Sequence, residues 1–430
     1  MALNKEPYKG TRDFFPKQKR VQNYIFSKMK TAAESFGYEP YDGPLIEEVE
    51  LYKAKSGEEL INDQIYSFTD RGERFVAIRP EMTPTVARMV AQIHREESKP
   101  LRWYSIPNLM RYEKPQKGRL REHWQLNCDI FGAPGRFGEI EILQVAVNLM
   151  RSFGATAQDF EILLNDRSIV DLTFQKIMGL SKEVASKLYK IVDKSKKVPH
   201  EAVVEMVNKL GMNEKQQELF YSYLALKSFD DLGKFLEHHN ELEARDNFLK
   251  FVSPLREMGL LDYIKYDATI VRGLDYYTGI VFEIFDKDPE NRRAICGGGA
   301  YANLLQIFNE QPLAGVGFGL GDVTLTDFLK THKLLPEGCE NPVIDYLVTF
   351  QDERCVSRAF EVANILRSKN FKVVQHFEPL KMNKVFPLAE KKGASFVVIM
   401  GETEFNENTI QLKNLKTKQQ ETIALSDFKK

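Results

Sequence analysis

The sequence predicts an α+β fold: an antiparallel sheet flanked by helices, a helical insertion within it, and a separate α/β unit at the C-terminus. Three observations carry this. Strand-like texture appears on both sides of a long, almost purely helical stretch, residues 168–253. Two early strands are joined by a charged loop containing Pro and Gly, the pattern of an antiparallel pair. After Leu335-Pro-Glu-Gly-Cys-Glu-Asn-Pro342 the periodicity switches to strands alternating with helices, which implies a mostly parallel sheet with right-handed crossovers. A chain of 430 residues also exceeds one simple core. We therefore expect residues 1–167 and 254–335 to form one domain, 168–253 to be inserted in it, and 342–430 to fold separately.

The elements follow in order. Val21, Ile25, Met29, Ala32 and Phe36 recur at three- and four-residue spacing between Pro16 and Gly37, an amphipathic helix with sensible stops. Trp103, Tyr104 and Ile106 read as one strand, and Trp124, Leu126, Cys128, Ile130 and Phe131 as its partner. Phe137 to Phe153 is helical and Phe160 to Leu164 a strand. β texture returns at Ile264–Ile270, Gly279–Phe285 and Val316–Leu320, with Gly297-Gly-Gly as a tight turn before a helix from Ala302. In the last unit, strands Tyr346–Phe350, Lys372–Gln375 and Phe396–Met400 alternate with helices near Val356–Ser368 and Lys384–Lys392.

Composition excludes little. With 43% hydrophobic and 28% charged residues the chain is ordinary for a globular protein. A net charge of -1 leaves nucleic-acid binding open, because Lys and Arg can be concentrated on one face. No apolar run is long enough to cross a bilayer, and the start resembles neither a secretory signal nor an Arg-rich presequence, so a cytoplasmic protein without a membrane partner is expected. Cys128, Cys296, Cys339 and Cys355 are scattered, which reads as reduced thiols. No paired histidine spacing points to a dedicated metal site.

Several stretches carry chemistry. Arg111-Tyr-Glu-Lys-Pro-Gln-Lys-Gly-Arg-Leu-Arg121 sets three arginines in a loop longer than a hairpin needs, and planar guanidinium forks suit phosphate oxygens. A solvated surface loop would look similar, but Gln125 lies within the next strand, so part of this polar chemistry faces inward. In Ile78-Arg-Pro-Glu-Met-Thr-Pro-Thr85 two prolines fix a rigid turn that could present Glu81 and Thr83 to an amine. Helix capping is the better account of Thr83, whereas Glu81 is harder to explain in that way. Gly297-Gly-Gly and Gly315-Val-Gly-Phe-Gly-Leu-Gly321 permit close backbone approach to a ligand or a neighbouring strand. Neither has the spacing of a dinucleotide fingerprint. Finally, Arg272, Asp275, Tyr276 and Tyr277 crowd the approach to a core strand; an arginine between Val271 and Gly273 calls for an anionic ligand.

Together these residues resemble the histidyl-tRNA synthetases, a family of class II aminoacyl-tRNA synthetases. The resemblance rests on Gly10-Thr-Arg-Asp-Phe-Phe-Pro16, Arg79-Pro-Glu-Met-Thr83, the loop Arg111–Arg121 as the class's motif 2, Gln125 to Gly132, Val271-Arg-Gly-Leu-Asp-Tyr-Tyr277 as the family's histidine signature, and Gly315–Gly321 in the place of motif 3. It implies the class II antiparallel sheet, an anticodon-binding domain at the C-terminus, and a homodimer formed through the motif 1 region, Gly37 to Tyr52. It also implies a two-step reaction: L-histidine and ATP give histidyl-adenylate and diphosphate, and the histidyl group passes to the 3′ end of tRNA-His. By the family pattern Arg111 and Arg272 are the catalytic cations, both reaching the histidine and the ATP. Glu113, Arg119, Arg121 and Gln125 also meet ATP. Glu81, Met82, Thr83, Gln125, Asp129, Tyr276, Tyr277 and Tyr301 receive the histidine, and Mg2+ arrives with ATP.

Two departures stand out. Motif 3 of the family ends in Glu-Arg-Leu, whereas this chain has Asp322-Val-Thr-Leu325, with Thr324 where an ATP-binding arginine is expected. The glycine run continues Ala300-Tyr301-Ala302 instead of Arg-Tyr-Asp. The alternative is a histidine-sensing regulatory paralogue, of the kind that serves ATP phosphoribosyltransferase, which would bind histidine and charge no tRNA. The intact arginine loop and the C-terminal unit weigh against it.

Overall fold

The computed structural model describes residues 3–54, 63–195, 198–271 and 277–428. The chain divides into two compact units, one built from the residues up to Asp13 with Ile25–Leu335, the other from Phe14–Tyr24 with Pro336 onward.

The first unit is organised around one large sheet. Its strands are β1 (Glu39–Pro40), β5 (Leu101–Ser105), β6 (Asn108–Met110), β7 (Glu122–Phe131), β8 (Phe160–Asp166), β9 (Ile264–Tyr266), β10 (Ile280–Asp286), β11 (Cys296–Tyr301) and β12 (Gly315–Gly321). Strands β2 (Ile46–Glu48), β3 (Tyr66–Thr69) and β4 (Phe75–Ile78) form a small separate sheet. The large sheet runs β1-β5-β7-β12-β11-β10-β8-β9, with β6 also paired to β7. The pairs β1–β5 and β8–β9 are parallel and the rest antiparallel.

Helices cover both faces. α1 (Pro16–Glu34), which belongs to the first unit only from Ile25, opens on a proline, whose missing N–H costs nothing in a first turn, and stops before Gly37 at φ +76°. α2 is Val49–Lys53, and α3 (Thr83–Ile93) lies on the front face. There Val86, Ala87 and Val90 of α3 join Phe131, Val281 and Tyr301 of the sheet in one buried cluster. α4 (Phe137–Ser152) and α11 (Asp322–Thr331) contact β7 and β12. The insertion is helical as expected: α5 (Arg167–Asp171), a π-helical turn at Leu172–Ile177, α6 (Lys182–Lys194), α7 (His200–Asn208), α8 (Glu214–Leu224), α9 (Phe229–His238) and α10 (Leu242–Glu257). Among the described residues no helix is long and apolar enough to cross a membrane.

In the second unit β13 (Ile344–Phe350), α12 (Val356–Ser368), β14 (Val373–Gln375), α13 (Met382–Lys392) and β15 (Ala394–Met400) realise the expected βαβαβ pattern, with three parallel strands. The sheet continues through α14 (Glu402–Glu407), β16 (Thr409–Asn414), β17 (Gln420–Ala424) and α15 (Leu425–Phe428), β16 and β17 adding an antiparallel hairpin to its edge.

Two expectations are corrected. Gly297–Gly299 is no turn: it is the middle of β11, hydrogen-bonded on both sides. No α-helix starts at Ala302; a short 3-10 turn follows at Leu304–Phe308. Glycine is depleted in strands because it offers no side chain to pack, so propensity pointed the wrong way. Here the lack of side chains is what the neighbouring strands require.

Candidate active site

The glycines of β12 form a bare strip across the front of the sheet. Register places Gly315, Gly317 and Gly319 opposite Phe131, Asp129 and Asn127 of β7, and opposite Tyr301, Gly299 and Gly297 of β11. With a side-chain period of two, all of these share one face. The space above each glycine is taken by a neighbour's side chain. A Cβ on Gly315 would lie 2.4 Å from the Tyr301 ring, on Gly317 2.2 Å from Asp129 Oδ1, and on Gly319 1.4 Å from Gln125 Nε2. Gly299 of β11 likewise receives the Tyr277 ring, 2.6 Å from where a Cβ would sit. The glycines therefore let Gln125, Asp129, Tyr277 and Tyr301 lie down on the sheet.

Asp129 is buried and accepts a hydrogen bond from the Tyr301 hydroxyl at 2.5 Å. Burial pushes its carboxyl up from the ordinary 3.8 to about 7, with the Tyr301 bond pulling the other way. Such a carboxyl is poised to take a cation or share a proton.

The arginine loop joins β6 to β7. Its neck is closed by the Arg111 N–H donating to the Arg121 carbonyl at 2.8 Å, and its tip by paired bonds between Gln116 and Arg119. Arg111 Nε donates to the Pro80 carbonyl at 2.9 Å, which docks the loop on the Arg79–Thr83 turn. That turn is fixed in its own right. Buried Arg79 donates to Asp42 and to the Gly43 carbonyl, both at 2.8 Å, and to the Asn108 carbonyl at 3.0 Å. Glu81 and Met82 are buried beside it. Thr83 is the first residue of α3, whose N-cap is Met82 with no side-chain bond, so capping does not account for Thr83.

Within the loop Arg119 forms a two-pronged ion pair with buried Glu113. Arg121 donates to the Tyr8 hydroxyl at 2.7 Å and to the Glu113 carbonyl at 3.1 Å, with its guanidinium 4.1 Å from the centre of the Tyr112 ring.

Sequence reasoning missed the supports of this loop. Gly10, at φ +88°, accepts from the Arg121 N–H at 2.9 Å, and a Cβ there would meet Arg121 Cγ at 2.8 Å and Pro115 Cγ at 2.9 Å. Arg12 donates to Asp322 Oδ2 at 2.8 Å, while Asp322 Oδ1 accepts from the Trp124 N–H at 2.9 Å. Asp322 is buried, and burial raises its carboxyl despite the Arg12 guanidinium. The N-terminal Gly-Thr-Arg thus clasps the loop and the start of α11, a contact across 310 positions that no local pattern reveals. His123 was missed too. It lies on β7 two residues before Gln125, hence on the same face, and burial with the guanidiniums of Arg111 and Arg12 pushes its imidazole down to about 3. The period-two reading of the strand could have found it.

Arg272, Asp275 and Tyr276 lie outside the described residues. Thr324, on the first turn of α11, has its hydroxyl 3.4 Å from the carbonyls of Ile295 and Gly321.

The site therefore joins a buried carboxyl–tyrosine pair on a glycine floor to a flanking cluster of guanidiniums. Such an arrangement suits a small cation-bearing molecule next to an anion. The family description "Histidyl-tRNA synthetase" matches residues 10–323, and "Anticodon binding domain" matches 343–430. The chain is 42% identical to the histidine–tRNA ligase of Leptospira biflexa over 425 residues, covering 99% of this chain and 96% of that one. It is 35% identical to the histidine–tRNA ligase of Thermoplasma volcanium, covering 98% and 97%. In fold it is similar to the crystal structure of histidyl-tRNA synthetase from Nostoc sp. PCC 7120, with a TM-score of 0.79, 23% identity, and 99% and 98% of the two chains covered.

Proposed function

The chain belongs to the histidyl-tRNA synthetase family, and from that premise we propose how its residues perform ATP-dependent ligation of L-histidine to tRNA-His. The reaction runs in two steps. A histidine carboxylate oxygen attacks the α-phosphorus of ATP and diphosphate leaves; then the terminal adenosine hydroxyl of the tRNA attacks the histidyl carbonyl and AMP leaves. No protein nucleophile is needed, so the enzyme's task is to position the reactants and neutralise charge.

Asp129 receives the amino or imidazole group of histidine, helped by Glu81, Met82, Thr83 and Gln125. Tyr276, Tyr277 and Tyr301 wall the imidazole. Arg111 bridges the histidine carboxylate and the α-phosphate, and Arg272 approaches that phosphate from the other side. Glu113 meets the adenine, and Arg119 and Arg121 the outer phosphates. Glu113 and Arg119 bond each other, so both roles require ATP to replace that pair with contacts of its own. Mg2+ enters with ATP as part of the substrate; among the described residues no group of three or more His, Cys, Asp or Glu converges to hold a metal.

The observation that carries this reading is the Asp129–Tyr301 pair lying on the β12 glycines beside the Arg111–Arg121 loop. Residues 1–167 with 254–335 would form the catalytic core, 168–253 a clamp on the acceptor stem, and 342–430 the anticodon reader. The regulatory alternative is not favoured: the relatives named above are ligases, and the anticodon-binding description covers residues 343–430. A homodimer through the region from Gly37 to Tyr52 is supported by apolar Leu45 and Ile46, each more than 40% exposed. The cytoplasm is the compartment this reading implies, and the four free cysteines fit it.

The test is pyrophosphate exchange into ATP with a panel of amino acids, followed by charging of tRNA-His. Exchange that depends on histidine alone is expected. Exchange driven by another amino acid, or by none, would sink the assignment.

A further inference from the structure

The tip of the arginine loop does not stand free. It rests against the connection between β10 and β11, and the residue that meets it is Arg293. A Cβ on Gly118, at φ +72°, would lie 3.0 Å from Arg293 Cδ and 3.4 Å from Thr324 Cγ2. Arg293 Nε donates to the Lys117 carbonyl at 3.2 Å, and Lys117 Nζ reaches the Glu290 carbonyl at 3.4 Å. The Arg293 stem therefore crosses the loop tip beside Thr324, on the first turn of α11.

That connection is anchored from behind. Buried Asp286 accepts from Asn291 Nδ2 at 2.7 Å and from the Asp288 N–H at 2.8 Å, and lies 2.7 Å from His332 Nε2. A fixed connection holds Arg293 in one place, and positioning of this kind is what binding a polyanion without reorganisation demands.

Charge decides what Arg293 is for. Arg12 is matched by Asp322 and Arg119 by Glu113. Among the described residues no carboxylate lies within 4.0 Å of the Arg293 guanidinium, which donates to the Lys117 carbonyl. A half-buried guanidinium held this way, beside the threonine that stands where the family has an arginine, is a vacant fork for phosphate oxygens.

We propose that Arg293 is an ATP-binding residue, supplying from the β10–β11 connection the guanidinium that position 324 lacks. The inference rests on the ligase reading above. Its test is histidine-dependent pyrophosphate exchange by the full chain. Arg293→Gln keeps a donor for the Lys117 carbonyl but loses the charge; it should raise the ATP KM ten-fold or more while the histidine KM stays within two-fold. Adding Thr324→Arg to that variant should restore most of the loss. An ATP KM within two-fold of the unsubstituted chain would overturn the proposal, as would equal rises in both KM values with a lowered melting temperature, the signature of a latch that only holds the loop. Absence of exchange in the unsubstituted chain is a different failure, and would sink the ligase reading itself.

Discussion

Tyr301 on β11 and Asp129 on β7 meet at 2.5 Å although a whole strand, β12, runs between theirs. Two strand spacings amount to roughly 9.5 Å, a span that a tyrosine and an aspartate close only if nothing rises between them. Gly315 and Gly317 meet that condition.

Gly317→Ala is accordingly expected to abolish the pair, because the new methyl carbon would sit 2.2 Å from Asp129 Oδ1 with the Cys128 carbonyl 2.6 Å away. Backbone cannot yield as a flexible side chain does. We expect kcat/KM for histidine to fall at least a hundred-fold, about 2.7 kcal/mol of transition-state binding, with the ATP KM little changed. A loss below three-fold would show that the glycine strip serves packing alone.

Asp129→Asn should separate stability from function. A carboxyl near 7 in the folded chain and 3.8 ordinarily holds more protons folded than unfolded between those values. Stability therefore falls as pH rises from about 4 to about 7, since each pKa unit is worth about 1.4 kcal/mol. The asparagine has no such cost. Its melting temperature, measured against the unsubstituted chain, should gain with rising pH across that window and level off above it, while the histidine KM rises ten-fold or more. A difference independent of pH would mean that Asp129 is not held near neutrality.

Asp322→Ala would remove the carboxylate that accepts from both the Arg12 guanidinium and the Trp124 N–H. Removing one member of a fully buried pair costs about 3–5 kcal/mol, and because the Arg12 side chain is 26% exposed the loss here should fall at or below the low end of that range. Asp322→Asn keeps an oxygen for the Trp124 N–H and should cost less, about 1–3 kcal/mol. Urea denaturation of both variants checks the order; equal effects would indicate that the charge contributes nothing.

Arg272→Ala is expected to cripple adenylate formation with no change in melting temperature, because its proposed partner is the α-phosphate. Near-normal exchange would make the arginine structural.

Much of the architecture was legible beforehand. The spacing of Ile25, Met29 and Ala32 announces α1, and the strands and helices from Tyr346 to Met400 announce the C-terminal sheet. In α1 one face is buried, so periodicity reports burial directly, whereas β13 and β15 are buried on both faces and read as short continuous apolar runs. β11 was misread because Gly297–Gly299 has no side chains to show a period. A bare strand and a turn look alike in sequence.

The residue types and their local order settled which chemistry this chain carries: an arginine loop and a glycine-spaced strand. Tertiary structure decided which of those groups meet. Asp129 rises to about 7 only because packing removes its water, and Arg12 finds Asp322, and Arg293 finds Lys117, across 310 and 176 positions. Local propensity acts over a few residues, whereas desolvation and charge pairing depend on distance in space.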